Sequence, residues 1–147
     1  MIRRALAAGG AAWLACGVAW AQDGAALFVQ HCASCHQADA SGTVGLAPAL
    51  KGEHWGRLGA DRAYIPNVVV HGLSGAIRVN GQPFVGAMPG LGPQLDDAAL
   101  AAIATHLRAL QGAKNEAPYA ADEIRAVRQA GGNPAQTRER RVRAIGG

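Results

Sequence analysis

The segment Cys32-Ala33-Ser34-Cys35-His36 constrains this chain more than any other feature of its sequence. Two thiols at this spacing on a helical turn can add to the two vinyl groups of one porphyrin, and a histidine directly after the second thiol can bind the iron. A zinc site would need a second pair of Cys or His ligands, and none follows at a suitable spacing. A thioredoxin-like redox pair would need a βαβ setting, whereas the flanking residues favour helix and loop. The motif therefore predicts one haem c, attached covalently through Cys32 and Cys35, with His36 as an iron ligand.

Residues 1–21 have the pattern of a secretory signal peptide. The basic pair Arg3-Arg4 precedes a short apolar run, and Ala19-Trp20-Ala21 has the form of a cleavage site. The apolar run is too short to cross a bilayer. An alternative interpretation takes Leu14-Ala15-Cys16 as a lipidation signal that leaves Cys16 as a lipid-anchored N-terminus. Because haem is added to this cysteine motif outside the bacterial cytoplasm, we expect a periplasmic protein.

Length and charge limit the kinds of protein that the chain can be after cleavage of the signal peptide. Removing 21 of the 147 residues leaves 126, a length typical of one small domain. Residues 22–111 carry a net charge of −1 and residues 112–147 a net charge of +3, which predicts a near-neutral haem domain followed by a basic extension. No later segment holds 18 consecutive apolar residues, so we expect no transmembrane span in the mature chain. The sequence gives no support for nucleic-acid binding, since it lacks a basic and aromatic surface pattern.

The first half of the domain is predicted to hold two helices. Asp23 can cap a helix that begins at Gly24 and runs towards Cys32. Residues 37–60 are rich in glycine and have no helical period, so they are predicted to form a long loop. A second helix is predicted over 61–71, where Pro66 either kinks the helix or marks its first turn.

The second half begins with a different pattern. Asn80-Gly81 between short runs of β-forming residues predicts a small hairpin at 76–85, followed by a Gly/Pro loop at 86–93. Asp96 or Asp97 can cap an amphipathic helix over 98–110. A short helix is expected over 120–129, and the basic segment 133–147 is predicted to be mobile.

Met88 is predicted to be the second iron ligand. It is the sole methionine after Met1, and it lies between Gly86-Ala87 and Pro89-Gly90 in the predicted loop. An isolated methionine often fills a core, but a loop position favours ligation. Coordination by His36 and Met88 would saturate the iron and raise its reduction potential.

The remaining histidines are expected to have no role at the iron. We expect His31 and His54 to face solvent, His71 to end a helix, and His106 to lie on the polar side of the last helix.

Together these motifs resemble a class I mono-haem cytochrome c over about residues 23–111. The resemblance rests on Gly24-x-x-x-Phe28, the cysteine motif, Pro48-Ala49-Leu50-Lys51-Gly52, Met88-Pro89 and a terminal amphipathic helix. It implies an all-α, cytochrome c-like helical fold around one covalent haem, with the predicted hairpin as an addition. The first and last helices should cross at Gly24 and Phe28. Family members often carry an aromatic residue at the crossing in the last helix, whereas this helix offers His106-Leu107.

The resemblance also implies further residues of the haem site. The carbonyl of Pro48 should accept a hydrogen bond from His36 Nδ1, which orients the ring and strengthens it as a ligand. Trp55, Arg57 and Arg78 are candidates for binding the haem propionates, and spacing does not select among them.

The predicted function is periplasmic electron transfer rather than catalysis. The run from Gly72 to Pro89 is similar to cytochrome domains that accompany periplasmic quinoprotein dehydrogenases, which implies a dehydrogenase as electron donor and another cytochrome or a terminal oxidase as acceptor. The chain would then be a free carrier or a haem subunit of such a complex. The alternative is a haem enzyme or a small-ligand-binding haem protein with a labile sixth ligand.

Overall fold

The computed structural model describes residues 22–146, so the predicted signal peptide lies outside the described residues. The elements in chain order are α1 (Gly24–His31), α2 (Ala33–His36), α3 (His54–Leu58), α4 (Tyr64–His71), β1 (Gly72–Val79), β2 (Gln82–Pro89), α5 (Asp97–Leu110), α6 (Ala121–Ala130) and α7 (Pro134–Ile145). The fold is helical, as predicted, with a two-stranded antiparallel sheet. The term all-α is therefore only partly right, because the hairpin is a substantial element.

Helices α1 and α5 cross at Gly24. A Cβ atom on Gly24 would lie 2.2 Å from the carbonyl oxygen of Ala102, so a larger residue would force the two helices apart. One turn further along, Phe28 is completely buried, and its ring centroid lies 5.4 Å from that of His106. His106 is therefore the aromatic partner of Phe28 at the crossing. The prediction that His106 lies on the polar side of the last helix is wrong to that extent.

Both crossing helices begin at an aspartate. The Oδ1 atom of Asp23 accepts a hydrogen bond of 2.9 Å from the backbone N–H of Ala25. The Oδ1 atom of Asp96 accepts one of 2.7 Å from the N–H of Ala99. These bonds satisfy N–H groups that have no partner within a helix. They confirm Asp23 as a cap and select Asp96 over Asp97 for α5.

The hairpin is longer than predicted. Strand β1 pairs with β2 from Gly72 opposite Pro89 to Val79 opposite Gln82. Asn80 and Gly81 form the turn with φ angles of 52° and 79°, as a tight hairpin turn requires. The prediction of a loop from residue 86 is therefore wrong over 86–89. Glycine and proline disfavour strands, so the residue pattern revealed only the centre of this hairpin.

The segment predicted as one long loop contains the short helix α3. This helix buries Trp55 and Leu58. Helix α4 starts at Tyr64 rather than at residue 61, and Pro66 is its third residue. A proline in the first turn removes no helical hydrogen bond. The second of the two interpretations of Pro66 is therefore correct.

The basic segment 133–147 is predicted to be mobile, but most of it forms helix α7. The Oδ1 atom of Asn133 accepts hydrogen bonds of 3.0 Å from the N–H groups of Ala135 and Gln136, and Pro134 occupies the first helical position. Helix α7 packs against α3, α4 and β1. Thr137 is 2 % and Arg141 3 % exposed, so the charge of this segment does not keep it in solvent.

Ion pairs connect the C-terminal helices to the rest of the fold. Arg140 of α7 binds both carboxylate oxygens of Asp61, with 2.7 Å between its Nη2 and Oδ1. Arg62 binds Glu123 of α6 at 2.6 and 2.9 Å. The extension after residue 111 therefore packs on the same body that contains the cysteine motif. Within residues 22–146, no helix combines the length and the apolar composition that a membrane span requires.

Candidate haem site

The cysteine motif lies at the end of α1 and in α2. The N–H of Cys32 donates a 2.8 Å hydrogen bond to the carbonyl of Phe28, and the N–H of His36 donates one of 2.9 Å to the carbonyl of Cys32. The backbone thus turns once around the motif and brings both thiols and the imidazole to neighbouring positions. Cys32 is buried and Cys35 is exposed. Burial, followed by the nearby Cys35, raises the pKa of the Cys32 thiol to about 11.

The imidazole of His36 is buried, and a hydrogen bond to the backbone fixes its orientation. Its Nδ1 lies 2.9 Å from the carbonyl oxygen of Pro48, which is the hydrogen bond implied by the resemblance. Burial lowers the pKa of His36, and the bond to Pro48 opposes that shift without reversing it. A neutral ring that donates from Nδ1 presents a free lone pair at Nε2. This is the state in which an imidazole binds a metal.

A compact loop places Pro48 beside His36. The N–H of Gly42 donates 2.9 Å to the carbonyl of His36, and Thr43 and Ala47 pair in a short bridge. Gly42 has a φ of +81°, and a Cβ atom there would lie 2.6 Å from the N of Ala49. Only glycine combines this backbone conformation with this close approach. The glycine content that suggested an irregular loop in fact serves a defined turn.

A cleft with a volume of about 180 Å³, partly open to solvent, lies in front of His36. Its walls come from the loop over 46–50, from α3 and α4, and from the hairpin. Most of the lining side chains are apolar, among them Leu50, Val68, Leu73 and Ile77. The apolar walls of this open cleft suit the edge and faces of a large apolar molecule better than a small polar substrate.

Met88 lines the same cleft. It lies on β2 opposite Leu73 and is half-buried. The predicted loop position is thus corrected to a strand position, whereas the expectation that Met88 faces the same site as His36 agrees with the structure. A strand paired along its whole length fixes the backbone of Met88 more firmly than a loop would.

The polar residues of the cleft differ in part from the expected ones. Trp55 lines the cleft, is buried, and its Nε1 has no hydrogen-bond partner. Arg57 and Arg78 are exposed and do not line the cleft. Arg141 of α7 does line it, although the basic pattern around that residue predicts a mobile tail. The signal that could have revealed it is the spacing of Thr137, Arg141 and Ala144 on one face of a capped helix.

Of the five histidines, His36 and His54 line the cleft. The expected solvent-facing position of His54 is therefore wrong. Burial lowers the pKa of His54, and the nearby Arg141 cation lowers it further. His71 packs under α6, with its Nε2 3.3 Å from the carbonyl of Val127.

These residues fit the haem predicted from the motif. The apolar walls suit a macrocycle, and the cysteine motif borders the cleft, with Cys35 and His36 among the lining residues. The imidazole nitrogen of His36 and the thioether sulfur of Met88 form a donor set that haem iron accepts. The unpartnered Nε1 of Trp55 is a buried donor that a polar group of a bound molecule would satisfy.

Comparison with known proteins agrees with this site. The family model of cytochrome c matches residues 21–111. The chain is 35 % identical over 119 residues to a cytochrome c-552 of Thermus thermophilus, covering 76 % of this chain and 79 % of that protein. It is 34 % identical over 112 residues to another cytochrome c-552 of Thermus thermophilus, covering 72 % and 84 % of the two chains.

Proposed function

Because the chain belongs to the cytochrome c family, we propose that it carries single electrons between redox proteins of the periplasm and that His36 and Met88 bind its haem iron. The haem c itself follows from the family together with the spacing of Cys32 and Cys35, which attach it. When bound, this group supplies reversible one-electron chemistry. The protein holds it in place, shields it from water and sets its potential.

One observation carries the proposal: His36 and Met88 line the same cleft, with His36 Nδ1 2.9 Å from the Pro48 carbonyl. The hydrogen bond to Pro48 holds the ring proton on Nδ1, which leaves Nε2 free, and it fixes the plane of the ring. Met88 supplies a thioether sulfur from strand β2, which is paired with β1. With both ligands in place, no coordination position is left for a substrate, which favours electron transfer over bond chemistry.

The partner surface is proposed at the mouth of the cleft. Leu46 and Val85 line the cleft and are 63 % and 82 % exposed, and Val44 nearby in sequence is 96 % exposed. Exposed apolar residues around a redox site favour a transient docking face. The net charge of −1 over 22–111 argues for weak electrostatic steering by this domain.

The partners and the compartment are proposals as well. The similarity of the run from Gly72 to Pro89 to cytochromes of quinoprotein dehydrogenases supports a dehydrogenase as donor. Another cytochrome or a terminal oxidase would then be the acceptor. The signal-like pattern of residues 1–21 supports export. The chain would act as a carrier or as a non-catalytic subunit of an oxidoreductase complex.

The function is tested on the purified holoprotein by voltammetry and carbon monoxide titration. We expect a reversible one-electron couple and no change of the reduced spectrum under carbon monoxide, since both iron positions are taken. Rapid carbon monoxide binding by the wild-type protein would contradict the proposal and favour the ligand-binding alternative.

The docking face is tested with Val85→Glu and with Val29→Glu as a matched control. Val29 is 58 % exposed on α1 and does not line the cleft. We expect Val85→Glu to slow electron exchange with a partner redox protein while leaving the potential and the spectrum unchanged. Equal rates for the two variants would place the docking face elsewhere.

A further inference from the structure

Arg141 is a charged residue buried inside the haem cleft. It is 3 % exposed, lines the cleft from α7, and donates from Nη2 to the carbonyl oxygen of Arg78 at 2.9 Å. A guanidinium has five N–H donors in a planar fork. The bond to Arg78 uses one of them and the neighbouring Tyr64 hydroxyl can accept another, so the rest of the fork can bind a further acceptor.

Other arginines of α7 have different partners. Arg140 binds the carboxylate of Asp61, and Arg138 donates from Nε to the carbonyl of Ala76 at 2.7 Å. Six of the ten side-chain carboxylates within residues 22–146 form ion pairs, and none of these pairs includes Arg141. A buried cation without a counter-ion is strongly destabilising. This position therefore calls for an anion.

The neighbouring titratable side chains of the cleft do not supply one. Burial lowers the pKa of His54, and the Arg141 cation lowers it further, so this ring is neutral. Burial raises the pKa of Tyr64, an effect that Arg141 partly offsets, so its phenol keeps its proton at neutral pH. The anion must come from the molecule that occupies the cleft.

We propose that Arg141, on the C-terminal helix α7, binds a propionate of the haem, beside the Nε1 of Trp55, which the neighbouring helix α3 places in the same cleft. The proposal rests on the haem c that the family and the cysteine motif place in this cleft. A carboxylate is the anion that the guanidinium fork binds with two parallel hydrogen bonds. The C-terminal extension is then part of the haem site, and α7 closes over the propionate edge.

The test compares Arg141→Gln with Arg143→Gln in the holoprotein. Arg143 lies on the same helix, loses the same charge, and is exposed. The measurement is resonance Raman spectroscopy of the propionate bending mode, which responds to hydrogen bonding of the carboxylate, together with the reduction potential. We expect Arg141→Gln to shift the mode and lower the potential, because a buried positive charge favours the reduced state. Arg143→Gln should change neither.

A propionate mode unchanged in Arg141→Gln would overturn the proposal. If Arg141→Gln does not accumulate, the test uses Arg141→Lys instead, because lysine keeps the positive charge but lacks the planar pair of donors that a guanidinium offers. Its mode should then differ from wild type, and an identical mode would equally overturn the proposal. Iron ligation is monitored separately by carbon monoxide titration, so a failure of this proposal is distinguishable from a failure of the His36–Met88 assignment.

Discussion

The Nδ1 of His36 lies 2.9 Å from the carbonyl oxygen of Pro48, and this contact fixes which nitrogen of the ring is free. A histidine that donates through Nδ1 offers its Nε2 lone pair to a metal, and the donor strength of that lone pair rises with the hydrogen bond behind it. The Gly42 turn that positions Pro48 is therefore as much a part of the site as the cysteine motif.

Replacing Met88 should open the iron. We expect Met88→Ala to bind carbon monoxide in the reduced state and to have a lower reduction potential, within the range of roughly 0.8 V that axial ligands span. Met88→Leu keeps an apolar side chain of similar size but no sulfur, so it should show the same changes with less loss of stability. Spectra and voltammetry of both holoproteins check this. A potential unchanged in Met88→Leu would show that Met88 only packs.

The helix crossing should not tolerate a side chain at Gly24. A Cβ atom there would meet the Ala102 carbonyl at 2.2 Å, so Gly24→Ala should lower the free energy of unfolding by about 1–3 kcal/mol through overpacking. Gly56→Ala in α3 is the matched control, since a Cβ atom there has nothing within 4 Å. That change should raise the stability by about 0.5–1 kcal/mol. Denaturant titrations of the two holoproteins should therefore move in opposite directions.

Phe28 and His106 should be energetically coupled. Phe28 is completely buried and its ring lies 5.4 Å from that of His106. We expect Phe28→Ala to cost about 3–5 kcal/mol of unfolding free energy. His106→Ala should remove an aromatic contact of about 0.5–1.5 kcal/mol. A double-mutant cycle measures the coupling energy between the two side chains. Strictly additive losses of stability would show that the two rings do not stabilise each other.

The attachment of α7 should weaken in acid. The hydrogen bonds from Arg140 hold the pKa of Asp61 below its usual range, and Arg143 adds to the effect. Because the folded pKa is lower than the unfolded one, the stabilisation is complete above the unfolded pKa of about 3.9 and is lost as the pH falls through the folded pKa. Thermal unfolding of wild type and Asp61→Asn should differ at neutral pH, and the difference should shrink progressively as the pH falls below about 4. A difference that persists unchanged in acid would exclude this ion pair as its cause.

The cofactor and one side of its site could be predicted from the sequence, because covalent attachment demands two thiols and a histidine in a fixed order. Such chemistry leaves a local signature in consecutive residues. The helix capped by Asp23 and the last helix of the domain were predictable for a similar reason, since cap and apolar stripe are local patterns.

Features that depend on tertiary contacts could not be predicted in the same way. Met88 lies on a strand because its whole partner strand pairs with it, although the flanking glycines and Pro89 favour a loop by themselves. Arg141 is buried because α7 packs on a body that already has a cleft, whereas four arginines within six residues suggest a solvated tail. In both cases packing between distant segments overrides the local pattern.

The most direct test of the account is the position of one methyl group. Met88 is the sole methionine after residue 1, so methionine labelled with ¹³C at the methyl group gives a single assignable signal in the processed protein. If Met88 binds the iron, its methyl group lies close above the porphyrin, and the NMR spectrum of the reduced holoprotein should show this signal shifted far upfield by the ring current. A Met88 methyl signal in the ordinary region for methionine, in a folded protein with attached haem, would contradict ligation by His36 and Met88.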